Sequence, residues 1–223
     1  MSTPSITMYL DFISPYAYLA FETLPRHLAG LQVTVRYQPI LFAGLLKHHG
    51  QLGPAEIEGK RQWTYQQVLW LAREAGVRLE LPARHPFNPL ALLRLSWACT
   101  VTGEVDRSIC EVLFRHVWCH GGADAEDPDR WEALVRQLEP VRSITDATVK
   151  QSLIEATQAA IDRQVFGVPT FAVGDRLFWG QDALPMLRQF LEGDPWFETD
   201  RQSAARVGAG VRRPGSSRSP AAH

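Results

Sequence analysis

The strongest constraint on the fold of this chain lies at residues 11–20, where a short polar turn separates an apolar strand from an apolar helix. Ile6, Met8 and Leu10 alternate with period two, which predicts a first β-strand. Ser14 is a favoured N-cap residue, and Pro15 suits a first helical turn because its missing N–H would have no partner there. The segment therefore predicts a strand that runs directly into a helix over residues 16–28.

The N-terminus of this helix has the properties of an anion site. Its first N–H groups lack intrahelical partners and carry a partial positive charge. These features lower the pKa of a thiol and hold a thiolate. A dithiol oxidoreductase would carry Cys-x-x-Cys here, whereas this chain has Ser14 and Ala17. We therefore infer a site for a thiol that comes from outside the chain; the alternative is that Ser14 is only a helix cap.

Composition is that of an ordinary globular protein, with 223 residues, 45% hydrophobic and 21% charged. This length suits one large domain or one domain with an insertion. A net charge of −1 gives no electrostatic reason to expect nucleic-acid or membrane partners. No apolar run reaches transmembrane length, and the first residues do not have the pattern of a signal peptide.

The three cysteines, Cys99, Cys110 and Cys119, are odd in number and form no Cys-x-x-Cys pair. Their usage argues against a secreted disulfide scaffold and favours the reducing cytoplasm. His116, Cys119 and His120 have a spacing that suits one helical face, but no second ligand pair lies nearby in sequence. We therefore predict a helix end with a buried cysteine and no metal site.

Strand patterns stand at the two ends of the chain and helical patterns between them. Val33, Val35 and Tyr37 predict a second strand, and residues 170–173 and 176–179 flank Gly174-Asp175 as a hairpin. Between residues 43 and 163 we find helical periodicity and no convincing strand. The further helices are predicted at residues 56–75, 90–100, 105–119, 129–138, 145–166 and 183–191. Residues 201–223 carry five arginines and no acid and are predicted to be a disordered tail.

Two later segments can complete a site at Ser14. Val168-Pro169 comes directly before the hairpin, where a peptide-like ligand can add to the main chain as a short strand; an ordinary proline at the start of an edge strand is the alternative. Asp182, after Trp179-Gly180-Gln181, can either cap the last helix or bind an ammonium group. Each segment is weak evidence alone, and the inference depends on their order and spacing.

The chain resembles the 2-hydroxychromene-2-carboxylate isomerases, within the group of DsbA-like proteins and kappa-class glutathione transferases. The resemblance covers residues 5–197, and its carriers are residues 11–20, 41–46, 53–56, 85–89, 166–170 and 179–182. It implies an α/β thioredoxin-like fold with a large all-helical domain inserted in the middle. The implied parts are a thioredoxin-like domain at 5–40 and 164–197, an inserted helical domain at 41–163 and a disordered tail at 198–223. In this arrangement the Val168-Pro169 bond is cis.

The resemblance also implies glutathione as the cofactor and a homodimer as the assembly. Ser14 would be catalytic and hold the glutathione sulfur. The other expected glutathione-binding residues are Val168, Pro169, Trp179, Gly180, Gln181 and Asp182, and the expected substrate-binding residues are Lys47, His85 and Asn88.

The implied reaction interconverts 2-hydroxychromene-2-carboxylate and trans-o-hydroxybenzylidenepyruvate, or related aromatic-derived acids, in aromatic catabolism. Two alternatives stay open from the sequence. One is a kappa-type glutathione transferase or peroxidase, which would use the same cofactor site. The other is a thiol-free DsbA-like binding module without enzymatic activity.

Overall fold

Four short strands form one mixed sheet at the centre of the fold in the computed structural model, which describes residues 3–199, 204, 206–208 and 210. The strands are β1 (Ser5–Leu10), β2 (Thr34–Pro39), β3 (Thr170–Val173) and β4 (Arg176–Trp179). Their order is β2-β1-β3-β4, with β2 parallel to β1 and the other neighbours antiparallel. Met8 in β1 lies opposite Tyr37 of β2 and Phe171 of β3. The predicted hairpin is confirmed, and Gly174 adopts the positive φ that its tight turn requires.

Helices occupy most of the remaining described chain. They are α1 (Pro15–His27), α2 (Phe42–His49), α3 (Glu58–Ala75), α4 (Leu90–Ala98), α5 (Arg107–Trp118), α6 (Pro128–Leu138), α7 (Ala147–Asp162), α8 (Leu184–Leu191) and α9 (Trp196–Thr199), with 3₁₀ turns at Pro54–Glu56 and Gln181–Ala183. No helix among the described residues is long and apolar enough to cross a membrane.

The predicted element order is confirmed, and the differences are local. The sequence analysis missed α2, whose eight residues contain only one fully buried side chain, and it missed the short α9. Helix α7 ends at Asp162 rather than at residue 166, because the chain turns at Gln164 with a positive φ. The division into parts at 5–40, 41–163 and 164–197 stays a prediction. The predicted disordered tail at 198–223 lies mostly outside the described residues.

The helices between the strands share one hydrophobic core with the sheet. The ring of Phe114 on α5 lies 5.0 Å from Phe12 and 5.2 Å from Phe21, measured between ring centroids. Two tryptophan indoles also form hydrogen bonds within the core. The Trp97 N–H of α4 donates to the carbonyl of Pro39, and the Trp118 N–H of α5 donates to the carbonyl of Phe12. The helical region therefore holds the end of β2 and the turn that follows β1.

A side chain of α5 replaces a main-chain hydrogen bond that α1 lacks at a proline. Pro25 has no N–H to donate to the carbonyl of Phe21, four residues earlier, so α1 lacks one hydrogen bond. Arg107 at the start of α5 supplies the missing donor at 3.2 Å, and the same nitrogen lies 3.1 Å from the Tyr37 hydroxyl. Its guanidinium also lies 4.0 Å from the centre of the Phe21 ring, close enough for a cation–π contact.

This arrangement predicts an energetic coupling between Arg107 and Pro25. Arg107→Ala removes the donor from a buried carbonyl, and we expect it to lower the free energy of unfolding by about 2–3 kcal/mol. In a Pro25→Ala background the new N–H can satisfy the Phe21 carbonyl, so the same change is expected to cost about 1 kcal/mol less. Urea unfolding of the four proteins in this cycle measures both values. Equal costs of Arg107→Ala in the two backgrounds would contradict the compensation.

Candidate functional site

Ser14 is held at the N-terminus of α1 with its oxygen turned toward the helix. Its hydroxyl oxygen accepts the Ala17 N–H at 3.2 Å, and its own N–H donates to the Asp11 carbonyl at 3.1 Å. In the first turn of α1, Pro15 has no N–H and Ser14 takes the Ala17 N–H, so the Tyr16 N–H is left without an intrahelical partner. Because the Ser14 oxygen accepts a bond from the helix, its O–H is left to act as a donor to a neighbouring anion. The predicted N-cap is therefore confirmed, and capping and ligand binding can coexist in this one side chain.

Ser14 lies on the wall of a cavity of about 280 Å³. Much of the wall is apolar, and its apolar residues come from five separate segments of the chain, including Ile13, Phe42 and Phe87. Its polar groups come from Asp11, Ser14, Tyr16, Glu56, Thr64 and His85. Concave, largely apolar walls with a few converging polar groups are typical of small-molecule sites.

Val168 belongs to the same cavity as Ser14. The Val168-Pro169 peptide is cis, as expected, and Val168 lies on the cavity wall. The Pro169 carbonyl accepts the Gly180 N–H at 2.9 Å, and the Gly167 carbonyl accepts the Thr170 hydroxyl at 2.7 Å. Among the residues that the structure describes, no hydrogen bond uses the main chain of Val168. That peptide can therefore pair with an extended ligand.

The segment from Trp179 to Asp182 forms a short turn beside the N-terminal half of α1. Gly180 has a φ of 101°, and a Cβ added there would lie 2.3 Å from an Asp182 carboxylate oxygen, so the turn requires glycine. Trp179 is 56% exposed and packs against Phe166, with ring centroids 4.9 Å apart. None of the residues from Trp179 to Asp182 lies on the wall of the Ser14 cavity.

Asp182 does not cap a helix in this structure, contrary to one interpretation of the sequence. Helix α8 begins after Ala183 and has no side-chain cap, because the 3₁₀ turn intervenes. The Asp182 carboxylate is exposed, and its negative charge interacts electrostatically with the Tyr16 hydroxyl. Burial, and secondarily this charge, raise the pKa of Tyr16. The carboxylate therefore remains available to a cationic ligand group near the start of α1.

The three predicted substrate-binding residues are placed differently. His85 lies on the cavity wall. Lys47 is exposed in the last turn of α2, next to Leu46, and Asn88 accepts the Leu90 N–H at 3.1 Å at the start of α4. Neither Lys47 nor Asn88 contributes to the cavity wall, and their role in substrate binding stays a prediction.

His85 uses both ring nitrogens within the protein. Its Nε2–H donates to the Ile13 carbonyl at 2.8 Å, and its Nδ1 lies 2.9 Å from the Tyr65 hydroxyl. Burial lowers the pKa of His85, which favours the neutral ring. The histidine therefore fixes the turn before Ser14 and presents an uncharged ring to the cavity.

Asp11 is one of four polar residues on this wall that were not predicted as site residues, with Tyr16, Glu56 and Thr64. It is completely buried, and its carboxylate accepts the Ile13 N–H at 3.2 Å and the Phe42 N–H at 2.9 Å. Burial raises the pKa of Asp11 to about 7, although these N–H groups lower it. The sequence signal for Asp11 was an acidic residue directly after an apolar strand. Acidic residues are seldom buried without a partner, so this position could have been recognised as unusual.

The sequence motif His116-x-x-Cys119-His120 does not gather around one point. His116 bonds to the Ala125 carbonyl at 3.0 Å, while the Cys119 sulfur lies 3.1 Å from the Tyr18 hydroxyl. Across the described part of the chain, no group of three or more potential metal ligands is found.

The chain is similar to several characterised families over nearly its whole length. The family of DSBA-like thioredoxin domains matches residues 5–192. A 2-hydroxychromene-2-carboxylate isomerase from Pseudomonas putida is 32% identical over 195 residues, which is 82% of this chain and 91% of the relative. A kappa 2 glutathione S-transferase from Caenorhabditis elegans is 26% identical over 83% of this chain and 91% of the relative.

A solved structure gives the same result for the fold. The structure of a 2-hydroxychromene-2-carboxylate isomerase superposes with a TM-score of 0.73 and 26% sequence identity. It covers 92% of this chain and 100% of that chain. The predicted thioredoxin-like fold and the predicted kinship are thereby confirmed. The chain belongs to the family of DSBA-like thioredoxin domains and, within it, to the group of the 2-hydroxychromene-2-carboxylate isomerases and their kappa-class glutathione transferase relatives.

Proposed function

We propose that this protein is a glutathione-dependent isomerase that interconverts 2-hydroxychromene-2-carboxylate and trans-o-hydroxybenzylidenepyruvate, or a closely related pair of aromatic-derived acids. The observation that carries the proposal is the Ser14 hydroxyl at the N-terminus of α1, on the wall of a largely apolar cavity. A disulfide oxidoreductase needs a reactive thiol at this place. The 32% identity to a named isomerase over 91% of its length supports the same reaction class.

The residues around the cavity fit glutathione. The unpaired main chain of Val168, directly before the cis bond to Pro169, suits the cysteinyl part of the tripeptide. The exposed carboxylate of Asp182 suits its ammonium group, and Trp179, Gly180 and Gln181 form the turn that presents this carboxylate. When bound, glutathione supplies a nucleophilic thiolate that adds reversibly to a conjugated acid.

The chain contributes charge stabilisation and an environment of low polarity. The Ser14 O–H and the Tyr16 N–H at the start of α1 are donors to a negative sulfur. A hydroxyl can donate without forming a mixed disulfide, which a cysteine at this position would do. Ile13, Phe42 and Phe87 line the cavity and limit water around the reacting atoms. Lys47 lies one residue from the wall and remains the proposed partner of the substrate carboxylate, while His85 and Asn88 remain proposed substrate-binding residues.

Ser14→Ala tests the role given to the hydroxyl. We expect the variant to bind glutathione but to lose isomerase turnover by about 10²-fold, the usual effect of removing one donor to a developing or bound anion. Turnover with a chromene acid and the ultraviolet absorbance of the glutathione thiolate are measured on the same preparation. Ser96→Ala is the matched control, because Ser96 is also buried and donates only to the Leu93 carbonyl in α4. Full turnover in Ser14→Ala would refute the proposed role.

Gly167→Ala tests the glutathione end of the site. A Cβ at Gly167 would lie 2.6 Å from the indole nitrogen of Trp179, so the indole must move away from its place on Phe166. We expect glutathione binding to weaken about tenfold, equivalent to about 1.4 kcal/mol, with thiolate absorbance per bound molecule unchanged. Calorimetry measures the affinity. Gly59→Ala is the control, since nothing lies within 4 Å of its added Cβ; an equal effect of both changes would argue against a role for Trp179.

A kappa-type glutathione transferase is the second candidate, because the 26% identity to such an enzyme covers 91% of its length. The two activities share the same cofactor site and differ in the acceptor. Conjugation of a general electrophile, without turnover of chromene acids, would assign the protein to the transferases. Absence of any glutathione binding would instead favour the non-enzymatic thioredoxin-fold module.

We also propose that the protein is a homodimer, that it is cytoplasmic and that it takes part in aromatic catabolism. Trp63 and Trp70 are 62% and 52% exposed and lie seven residues apart, on one face of α3. Large exposed aromatic side chains that share a face are typical of interaction surfaces. The cysteines are all unpaired, which is consistent with a reducing compartment.

Replacing both tryptophans tests the dimer. The double variant Trp63→Lys with Trp70→Lys places two charges on this face of α3, and we expect it to sediment as a monomer. Trp196→Lys is the control, since Trp196 is 49% exposed on α9 and carries the same substitution elsewhere. Sedimentation equilibrium of wild type and both variants gives the masses. A monomeric wild type, or a double variant that remains dimeric, would contradict this surface.

A further inference from the structure

We propose that Asp11 accepts the proton that a thiol loses when it binds beside Ser14, so that the cavity carries one negative charge and not two. The inference rests on the proposed function, because it requires glutathione to bind as a thiolate at this place. It assigns to Asp11 a role that the cap, the cis-proline turn and the Trp179 segment do not provide.

Asp11 and Ser14 belong to the wall of one cavity of about 280 Å³. Asp11 lies on the cavity wall and is three residues before Ser14, whose N–H donates to the Asp11 carbonyl. Its two carboxylate oxygens accept the N–H groups of Ile13 and Phe42 and are shielded from water. These two bonds also hold the turn before α1 against the start of α2.

No cationic side chain balances the charge of Asp11. Among the described residues, none of the ion pairs includes it. The titratable groups on the same cavity wall are Tyr16 of α1, Glu56 of the first 3₁₀ turn and His85. His85 favours its neutral form because burial lowers its pKa, and neither of the others supplies a positive charge. Burial accordingly dominates and raises the pKa of Asp11 to about 7.

Binding of a thiolate adds a second negative charge to this partly dry site. Two like charges that share a site of low polarity raise the pKa of the more easily protonated group. A carboxylate that already titrates near neutrality is therefore protonated as the sulfur ionises. The S–H bond breaks, an O–H bond forms on Asp11, and the proton stays in the protein. When the sulfur leaves as a thiol, the same proton can return to it.

The number of protons released when the thiol binds should depend on pH. At about pH 8, where Asp11 is ionised in the free protein, binding of the thiol as thiolate should release almost no proton. At about pH 6, where Asp11 already holds a proton, the same binding should release about one. Asp11→Asn has no carboxyl group and should release about one proton at both values.

Glutathione binding is measured by calorimetry in two buffers of different ionisation enthalpy, at about pH 6 and about pH 8, with thiolate absorbance recorded on each complex. Wild type, Asp11→Asn and the control Glu56→Gln are compared, since Glu56 is an acid on the same wall but accepts the Gly53 N–H in an exposed turn. At about pH 8 we expect wild type and Glu56→Gln to release almost no proton on binding, and Asp11→Asn to release about one. Equal release by wild type and Asp11→Asn at about pH 8 would overturn the inference.

Two further readouts keep the result unambiguous. If wild type shows no thiolate absorbance on binding, the proposed function fails, and that result is distinct from a thiolate that forms with full proton release. If Asp11→Asn does not fold, infrared difference spectra of wild type decide. Glutathione binding at about pH 8 must then produce the band of a protonated carboxyl group, and its absence would overturn the inference.

Discussion

The site depends on a four-residue turn between β1 and α1 that is hydrogen-bonded from several sides. Within the turn, the Asp11 carbonyl accepts the Ser14 N–H and the Asp11 carboxylate accepts the Ile13 N–H. From outside, the Phe12 carbonyl accepts the Trp118 indole N–H and the Ile13 carbonyl accepts the His85 imidazole N–H. Because polar main-chain groups in a buried turn must find partners, these bonds leave Ser14 little freedom of position. A donor that stabilises an anion acts best when its geometry is fixed beforehand.

Much of this arrangement could be predicted from the sequence because it depends on local patterns. The alternation of Ile6, Met8 and Leu10 gave β1, and Ser14-Pro15 gave the start of α1 within one residue. The hairpin around Gly174 followed from the requirement for a positive φ. Resemblance to a family then supplied the position of Val168-Pro169 opposite Ser14, which no local pattern could have provided.

The features that the sequence analysis missed depend on contacts between distant segments. Asp11 is protected by the N–H of Phe42, which lies beyond β2, so its burial could not be inferred from its neighbours in sequence. Helix α2 lacks a side-chain cap of its own. The Asp11 carboxylate and the Thr157 hydroxyl instead accept its first free N–H groups, at Phe42 and Leu41. The tautomer of His85 is likewise decided by Ile13 and Tyr65 and not by its own segment.

The contact between Arg107 and the helix turn at Pro25 constrains how this chain can exchange parts with a relative. The proline interrupts a helix that directly follows the first strand, and the arginine that completes the broken bond belongs to α5, more than eighty residues later. A chimera that takes its central helices from a relative must therefore import a donor for the Phe21 carbonyl or lose the proline at the same time. In this protein the two positions act as one structural unit, because a hydrogen bond that α1 lacks is completed by a side chain of α5.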